Sequence, residues 1–135
     1  MGVVLDTSVL IAAEKGQLDL PMLFSAIGEE PAVISAITAS ELLHGVERAR
    51  AAGIRARRSR YVEWIINNIG VVAFGIPEAR AHARLWAQLS IEGQPIGPYD
   101  LVVAATALSL GFSLATLNKQ EFNRVSGLDL FTVPV

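Results

Sequence analysis

The feature that most constrains the fold is a regular alternation of short apolar runs with longer segments of helical periodicity. The runs are the length of buried strands, and the segments between them are long enough for the helical crossovers that parallel strands require. The five predicted strands are Met1–Leu5, Ala32–Ser35, Val71–Phe74, Ser113–Thr116 and Leu130–Val133. We therefore predict an α/β fold with three layers, α/β/α, around a central, mostly parallel sheet of about five strands.

The helices are predicted from periodicity and from residues typical of helix ends. Asp19 before Pro21 is typical of an N-cap followed by proline in the first turn, and that helix should end at Gly28. The longest helix carries apolar residues at the spacing i, i+3, i+4, i+7, namely Val62, Ile65, Ile66 and Ile69. The other predicted helices are residues 8–14, 38–50, 77–92 and 100–110. With no linker or repeat among its 135 residues, the chain is expected to form a single domain, 1–135.

Composition excludes several classes of protein and site. There is no cysteine, which rules out disulfides and thiolate metal sites. No apolar stretch reaches the ~18 to 20 residues of a membrane span, and no secretion leader is recognisable, so a cytoplasmic location without membrane contact is expected. At 52% hydrophobic residues, however, the chain has more apolar surface than one sheet needs. We expect a partner to cover part of it, with an amphipathic helix in an apolar groove as one possibility. The apolar residues concerned, most of which are expected to pack in the core, are Ile11, Leu18, Leu20, Met22, Leu23, Phe24, Val62, Trp64, Ile65 and Ile66.

Four of the 13 acidic residues fall where the predicted strands end or the next helices begin. Asp6 ends the first strand, Glu41 lies in the first turn of the helix after the second strand, Asp100 heads a buried helix, and Glu121 follows the fourth strand. The carboxyl ends of parallel strands lie along one edge of a sheet, where α/β proteins bind their ligands. Gathered there, the carboxylates would repel one another, and a hard divalent cation such as Mg²⁺ would relieve that repulsion.

Each of these acids also has a purely structural interpretation. Asp6 could cap the following helix, a task that Thr7 or Ser8 could share. Glu41 could complete a capping box with Thr38. Asp100 could be favoured by the helix dipole, and Glu121 could simply be solvated. The joint placement of the four favours the metal site.

Six of the 11 basic residues are arginines between positions 48 and 60. They are Arg48, Arg50, Arg55, Arg57, Arg58 and Arg60. Such a run is often only a solvated helix face. Arginine also binds phosphate through its planar fork, and the cluster could equally receive an acidic partner peptide. The cluster alone leaves these three interpretations open.

Four segments in order resemble those of PIN-domain ribonucleases, specifically VapC-type toxins: VLDTSVLIA from Val4, SAITASELLHGVERAR from Ser35, IGPYDLVVAATAL from Ile96 and LATLNKQEFNRVSGL from Leu114. The resemblance covers essentially the whole chain. It implies that Asp6, Glu41 and Asp100 bind Mg²⁺ or Mn²⁺. It also implies a cytoplasmic endoribonuclease toxin that leaves 5′-phosphate and 3′-hydroxyl ends, is neutralised by a VapB-like antitoxin, and commonly forms homodimers.

The fourth segment departs from the family pattern. Many members have an aspartate two residues after the threonine, whereas here Thr116 is followed by Leu117 and Asn118. Glu121 is the nearest carboxylate and is expected to substitute as the fourth catalytic acid. Ser8, Thr116 and Asn118 are expected to be supporting polar residues, and Arg48, Arg57 and Arg58 are expected to contact RNA or the antitoxin.

Three other functions are open to a small α/β protein. A metal-free ribonuclease would use two histidines, and only His44 and His82 are present. A phosphate-accepting receiver domain would need an aspartate after the third strand, where the sequence VVAFGIP (71–77) has none. A PIN fold that only binds RNA or protein is the more serious alternative, because the usual fourth aspartate is missing.

Overall fold

The computed structural model describes residues 1–134 and shows a parallel sheet of five strands in the order β3-β2-β1-β4-β5. Along the chain the elements are β1 Val3–Leu5, α1 Thr7–Glu14, α2 Leu20–Ile27, β2 Ala32–Ser35, α3 Ala36–Arg48, α4 Ala52–Asn68, β3 Gly70–Val72, α5 Ile76–Ile91, α6 Pro98–Leu110, β4 Ser113–Ala115, α7 Lys119–Phe122 and β5 Leu130–Phe131. The α/β architecture with a parallel sheet between helices is confirmed.

The central strand β1 is buried on both faces, which explains why its sequence is continuously apolar rather than alternating. Val4 pairs with Val33 of β2 on one side and with Leu114 of β4 on the other. Successive side chains of a strand point to opposite faces of the sheet. Accordingly, Val3 and Leu5 belong to a core built with α1 to α4, whereas Val4 belongs to a second core built with α5 and α6.

Several element boundaries differ from those predicted. The edge strand β3 pairs only with β2, from Gly70 to Val72, and therefore stops before Phe74. The fourth strand ends at Ala115 rather than Thr116, and β5 ends at Phe131 rather than Val133. The one-turn helix α7 was not predicted, because four residues are too few to show helical periodicity.

The start of α3 is a further correction, and it changes the interpretation of Glu41. The helix begins at Ala36, because the Ser35 side chain accepts a hydrogen bond from the backbone N–H of Ile37 and so acts as the N-cap. Thr38 is therefore inside the helix, and the proposed Thr38–Glu41 capping box does not form. Glu41 lies in the second helical turn rather than the first.

Most of the apolar residues considered for a groove pack in the core, as expected. Leu18, Leu23, Val62 and Ile65 are buried between the sheet and helices α1 to α4. Exposed groove residues are Ile11, Met22 and Trp64. Over residues 1–134, no helix combines the length and apolar character needed to cross a bilayer.

Candidate active site

Asp6 lies directly after β1, at the carboxyl edge of the sheet, and is only 4% exposed. Its backbone N–H donates to the Ala115 carbonyl (2.9 Å), which holds it beside the end of β4. Its Oδ2 accepts hydrogen bonds from the hydroxyls of Ser8 (2.7 Å) and Thr116 (2.8 Å). Asp6 occupies the N-cap position of α1, but its side chain makes no capping hydrogen bond to that helix. Its carboxylate is instead held in place at the strand end.

The three predicted supporting residues are brought together around the turn after β4. Besides binding Asp6, the Ser8 hydroxyl accepts from the backbone N–H of Leu117 (3.1 Å), and the Thr116 hydroxyl accepts from that of Asn118 (2.9 Å). The Asn118 amide reaches the other way and donates to Glu121 Oε2 (3.0 Å). These bonds fix the end of β1 and the turn after β4 as one unit.

Glu41 approaches the same strand end from α3. Its Oε1 accepts a hydrogen bond from the Thr7 hydroxyl at 2.8 Å, and the Thr7 Oγ1 also lies 3.0 Å from the Thr38 Oγ1. Sequence reasoning treated both threonines only as helix caps and so missed their place in the site. The available signal was that Thr7 directly follows a predicted site carboxylate at a strand end.

Glu121 lies on α7. It is not simply solvated, as the structural interpretation proposed, because both of its carboxylate oxygens accept hydrogen bonds. Its Oε1 accepts from the backbone N–H of Gly97 (2.7 Å), which is the N-cap of α6, while its Oε2 is held by Asn118. These bonds, that to Gly97 first, lower the pKa of Glu121 below its usual value. A Cβ on Gly97 would lie 3.6 Å from Asp100 Oδ2 and 3.7 Å from Glu121 Oε1, so the two carboxylates flank the same residue. Glu121 therefore ties the start of α6 to the turn after β4.

Asp100 is the third residue of α6 and is partly exposed. Its pKa is raised from 3.8 to about 7. Burial is the largest cause, followed by the negative charges of Asp6 and Glu121, with Glu41 adding a smaller effect. The structure thus brings all four predicted acids into one electrostatic group.

Within the described chain, no arginine or lysine forms an ion pair with this group, although the charge of Arg124 is a minor cause of the lowered pKa of Glu121. The ion pairs formed by residues 1–134 are Met1–Glu30, Arg55–Glu47 and Arg58–Glu14, and none includes a site carboxylate. Across the same residues, no three acidic or histidine side chains form a ready-made ligand set for one ion. Mg²⁺ needs only one or two protein carboxylates, because water and substrate phosphate complete its shell. The uncompensated pair Asp6 and Asp100, at a partly exposed edge, fits that requirement.

The predicted arginines divide into two kinds. Arg58 donates from Nε to Glu14 Oε2 (3.2 Å) and from its terminal nitrogen to the Gly45 carbonyl (3.1 Å), so it ties α4 to α1 and α3. Arg48 and Arg57 are exposed. Arg48 and Arg58 line a groove that begins at Glu41 and runs between α1, α3 and α4.

The two histidines are placed in surroundings that do not suit acid–base catalysis. His82, on α5, packs edge-on against Phe74 and Trp86, with ring centroids 5.6 and 5.7 Å away. His44 is exposed on α3. The carboxylates, not the histidines, are the groups that the fold gathers.

Comparison with known proteins identifies the family. The PIN domain model matches residues 3–128. Ribonuclease VapC1 of Rickettsia felis is 37% identical over 133 residues, 98% of this chain and 97% of that protein. The tRNA(fMet)-specific endonuclease VapC of Shigella flexneri is 33% identical over 95 residues, 70% of each chain.

A solved structure extends the similarity to three dimensions. The DNA-bound VapBC structure from Salmonella typhimurium contains a chain that is 30% identical, with a TM-score of 0.87 and 97% of each chain covered. The family model spans nearly the whole sequence, and the Rickettsia felis relative aligns from end to end. This chain therefore belongs to the PIN-domain family, in its VapC group.

Proposed function

We propose that this protein is a metal-dependent endoribonuclease and the toxin of a toxin–antitoxin pair. The observation that carries the proposal is the convergence of Asp6, Glu41, Asp100 and Glu121 at one sheet edge, where burial and, next to it, the repulsion of the neighbouring acids raise the pKa of Asp100 to about 7. Relatives named as ribonucleases, at this level of identity, support the reaction class. RNA hydrolysis at such a site yields 5′-phosphate and 3′-hydroxyl ends.

Asp6 and Asp100 would hold the metal, with Glu41 as the third acid. When bound, Mg²⁺ or Mn²⁺ would neutralise phosphate charge and lower the pKa of a bound water. The chain's own residues have separate tasks. The hydroxyls of Ser8 and Thr116 hold the Asp6 carboxylate in one orientation. Glu41 would accept the proton of the attacking water.

Glu121 has a different task from the one predicted for it. Because each of its oxygens already accepts a hydrogen bond, from Gly97 and from Asn118, it is best suited to orient the start of α6 and thus Asp100. We therefore assign Glu121 a positioning role rather than that of the fourth catalytic acid.

The groove that begins at Glu41 is the proposed binding place of a VapB-like antitoxin segment. Exposed Ile11 lines it beside Arg48, so it offers both apolar and charged contacts to an amphipathic peptide. The related Salmonella typhimurium structure is itself a VapBC complex, which supports a partner of this kind. The exposed Arg57 would steer RNA backbone.

A homodimer is also proposed, through the exposed aromatic face of α5. Trp86 is 60% exposed and Ile76 65% exposed, and the rings of Phe74 and Trp86 both pack edge-on against His82. A second copy of the chain would remove these apolar side chains from water. A cytoplasmic location is part of the same proposal.

The deciding experiment is cleavage of a structured RNA pool by wild type and Asp6→Asn, with Mg²⁺ and with EDTA. Glu63→Gln is the matched control, since Glu63 is an exposed acid on α4. We expect cutting that requires both the metal and Asp6, is unaffected in the control, and leaves 5′-phosphate ends. Cyclic phosphate products formed in EDTA would instead favour the histidine mechanism.

The competing function is a PIN fold that binds RNA or protein without cutting. It would be supported by wild-type protein that binds RNA or antitoxin yet cuts nothing with either Mg²⁺ or Mn²⁺. The intact set of Asp6, Glu41 and Asp100 is the observation against it.

A further inference from the structure

We infer that Thr7 and Thr38 form a buried hydroxyl pair that orients the Glu41 carboxylate. They are positioning residues, since they act on the reaction through Glu41. The catalytic consequence rests on the proposed ribonuclease function, whereas the orientation of Glu41 can be measured without it.

Both contacts are short, that between the two threonines is buried, and that to Glu41 is partly buried. Thr7 Oγ1 lies 2.8 Å from Glu41 Oε1 and 3.0 Å from Thr38 Oγ1. Thr7 is 7% exposed and Thr38 is fully buried. Within residues 1–134, Thr7 provides the one side-chain hydrogen bond that the Glu41 carboxylate receives. A long, flexible glutamate thus depends on a single donor for its orientation.

Proton counting identifies Thr7 as the donor to Glu41. A threonine hydroxyl has one proton to donate and lone pairs that accept. The bond to a carboxylate is charge-assisted and the stronger of the two, so the Thr7 proton goes to Glu41. The Thr38 Oγ1, 3.0 Å away, is a second acceptor within reach of the same Thr7 hydroxyl. Thr7 is therefore the donor on which Glu41 depends, with the fully buried Thr38 hydroxyl beside it.

The fold explains why these three residues meet. Because Ser35 caps α3, Thr38 has no capping task, and it lies three residues before Glu41 on the same helical face. Thr7 directly follows Asp6, so one strand end supplies both a site carboxylate and the hydroxyl that holds another. Threonine is β-branched and stiff at χ1, which keeps the hydroxyl aimed.

The first test uses steady-state kinetics of RNA cleavage. Thr7→Val keeps the shape and removes the hydroxyl, Thr7→Ser keeps the hydroxyl, and exposed Thr132→Val is the control. We expect Thr7→Val to lower kcat about 10-fold or more with little change in KM, since small misplacements of a reacting group are costly. Thr7→Ser should restore most of the loss. An equal loss in Thr7→Ser and Thr7→Val would overturn the inference.

A double-mutant cycle separates positioning from general damage. In a Glu41→Gln background, Thr7→Val should lower the residual kcat by less than about 2-fold, because the group it orients is already gone. A full 10-fold further loss would show that Thr7 acts elsewhere. Thr38→Val, which leaves the Thr7 donor in place, should give a smaller loss in the same direction. If Thr7→Val does not fold, Thr38→Val tests the inference in its place.

A measurement without metal or RNA tests the contact itself. The carboxyl ¹³C resonance of Glu41, assigned by its loss in Glu41→Gln, should shift in Thr7→Val and stay in place in Thr132→Val. An unchanged resonance in folded Thr7→Val refutes the positioning role. If wild type cuts no RNA while the resonance shifts as expected, the proposed function fails and the inference about Glu41 stands.

Discussion

Replacing Asp100 with asparagine should stabilise the metal-free protein while it abolishes RNA cutting. The folded protein raises the pKa of this carboxyl from 3.8 to about 7, so the folded state binds the proton more tightly than the unfolded state does. Stability is therefore lost as pH rises from about 4 to about 7, and the loss is complete above that range. Asparagine has no charge to lose and escapes the penalty.

The size of the effect follows from the pKa and the exposure of the side chain. At 1.36 kcal/mol for each pKa unit, the full difference would correspond to roughly 4 kcal/mol. Asp100 is partly exposed, so solvent screens much of the repulsion, and we expect a gain of about 1 to 2 kcal/mol at pH 8. For a chain of this length that is a rise in Tm of roughly 3 to 8 °C.

Urea and thermal unfolding in EDTA, at pH 8 and at pH 4.5, would measure this gain. The expected result is a stabilised variant at pH 8 and a difference close to zero at pH 4.5, with the exposed Asp129→Asn variant unchanged at both. Saturating Mg²⁺ should raise the Tm of wild type and have a smaller effect on the variant, because a ligand stabilises the state that binds it. A variant that is less stable than wild type at pH 8 would refute the reasoning.

The remaining predictions concern Glu121, two arginines of α4 and Trp86. Glu121→Ala should lower cutting more than Glu121→Gln, in which an amide oxygen can still accept from Gly97; equal losses in the two variants would instead indicate a metal ligand. Arg58→Ala should lower the free energy of unfolding in urea by about 1 to 2 kcal/mol, and a variant as stable as wild type would contradict this. Arg57→Glu, at an exposed position, should leave stability unchanged and weaken RNA binding in filter-binding assays. Trp86→Arg should shift the mass in light scattering from dimer to monomer, and a wild-type monomer would rule out the dimer.

Much of the architecture could be predicted because strands and helices are encoded locally. The continuous apolar run of β1 shows that it is buried on both faces, and Pro21 after Asp19 marks the start of α2. Acids that follow strands must lie along the carboxyl edge of a parallel sheet. That geometry places Asp6 at the edge, whereas Asp100, which follows α5 rather than a strand, reaches the same edge through the packing of α6 against the sheet.

The hydrogen-bond partners within the site depended on the tertiary structure. Asp6 and Thr116 are 110 positions apart in sequence, Thr7 and Glu41 are 34 apart, and Gly97 and Glu121 are 24 apart. Whether such groups meet is decided by strand register and by the position at which each helix begins.

The start of α3 shows how one such detail changes an assignment. Thr38 and Glu41 match a capping box as well as any sequence does, yet Ser35 begins the helix one turn earlier. That shift leaves Glu41 free to meet Thr7. Local sequence thus determined which residues could do chemistry, and only packing decided which of them hold the others in place. The reason is that a hydrogen bond needs its two atoms within about 3 Å, and periodicity does not specify atomic positions that finely.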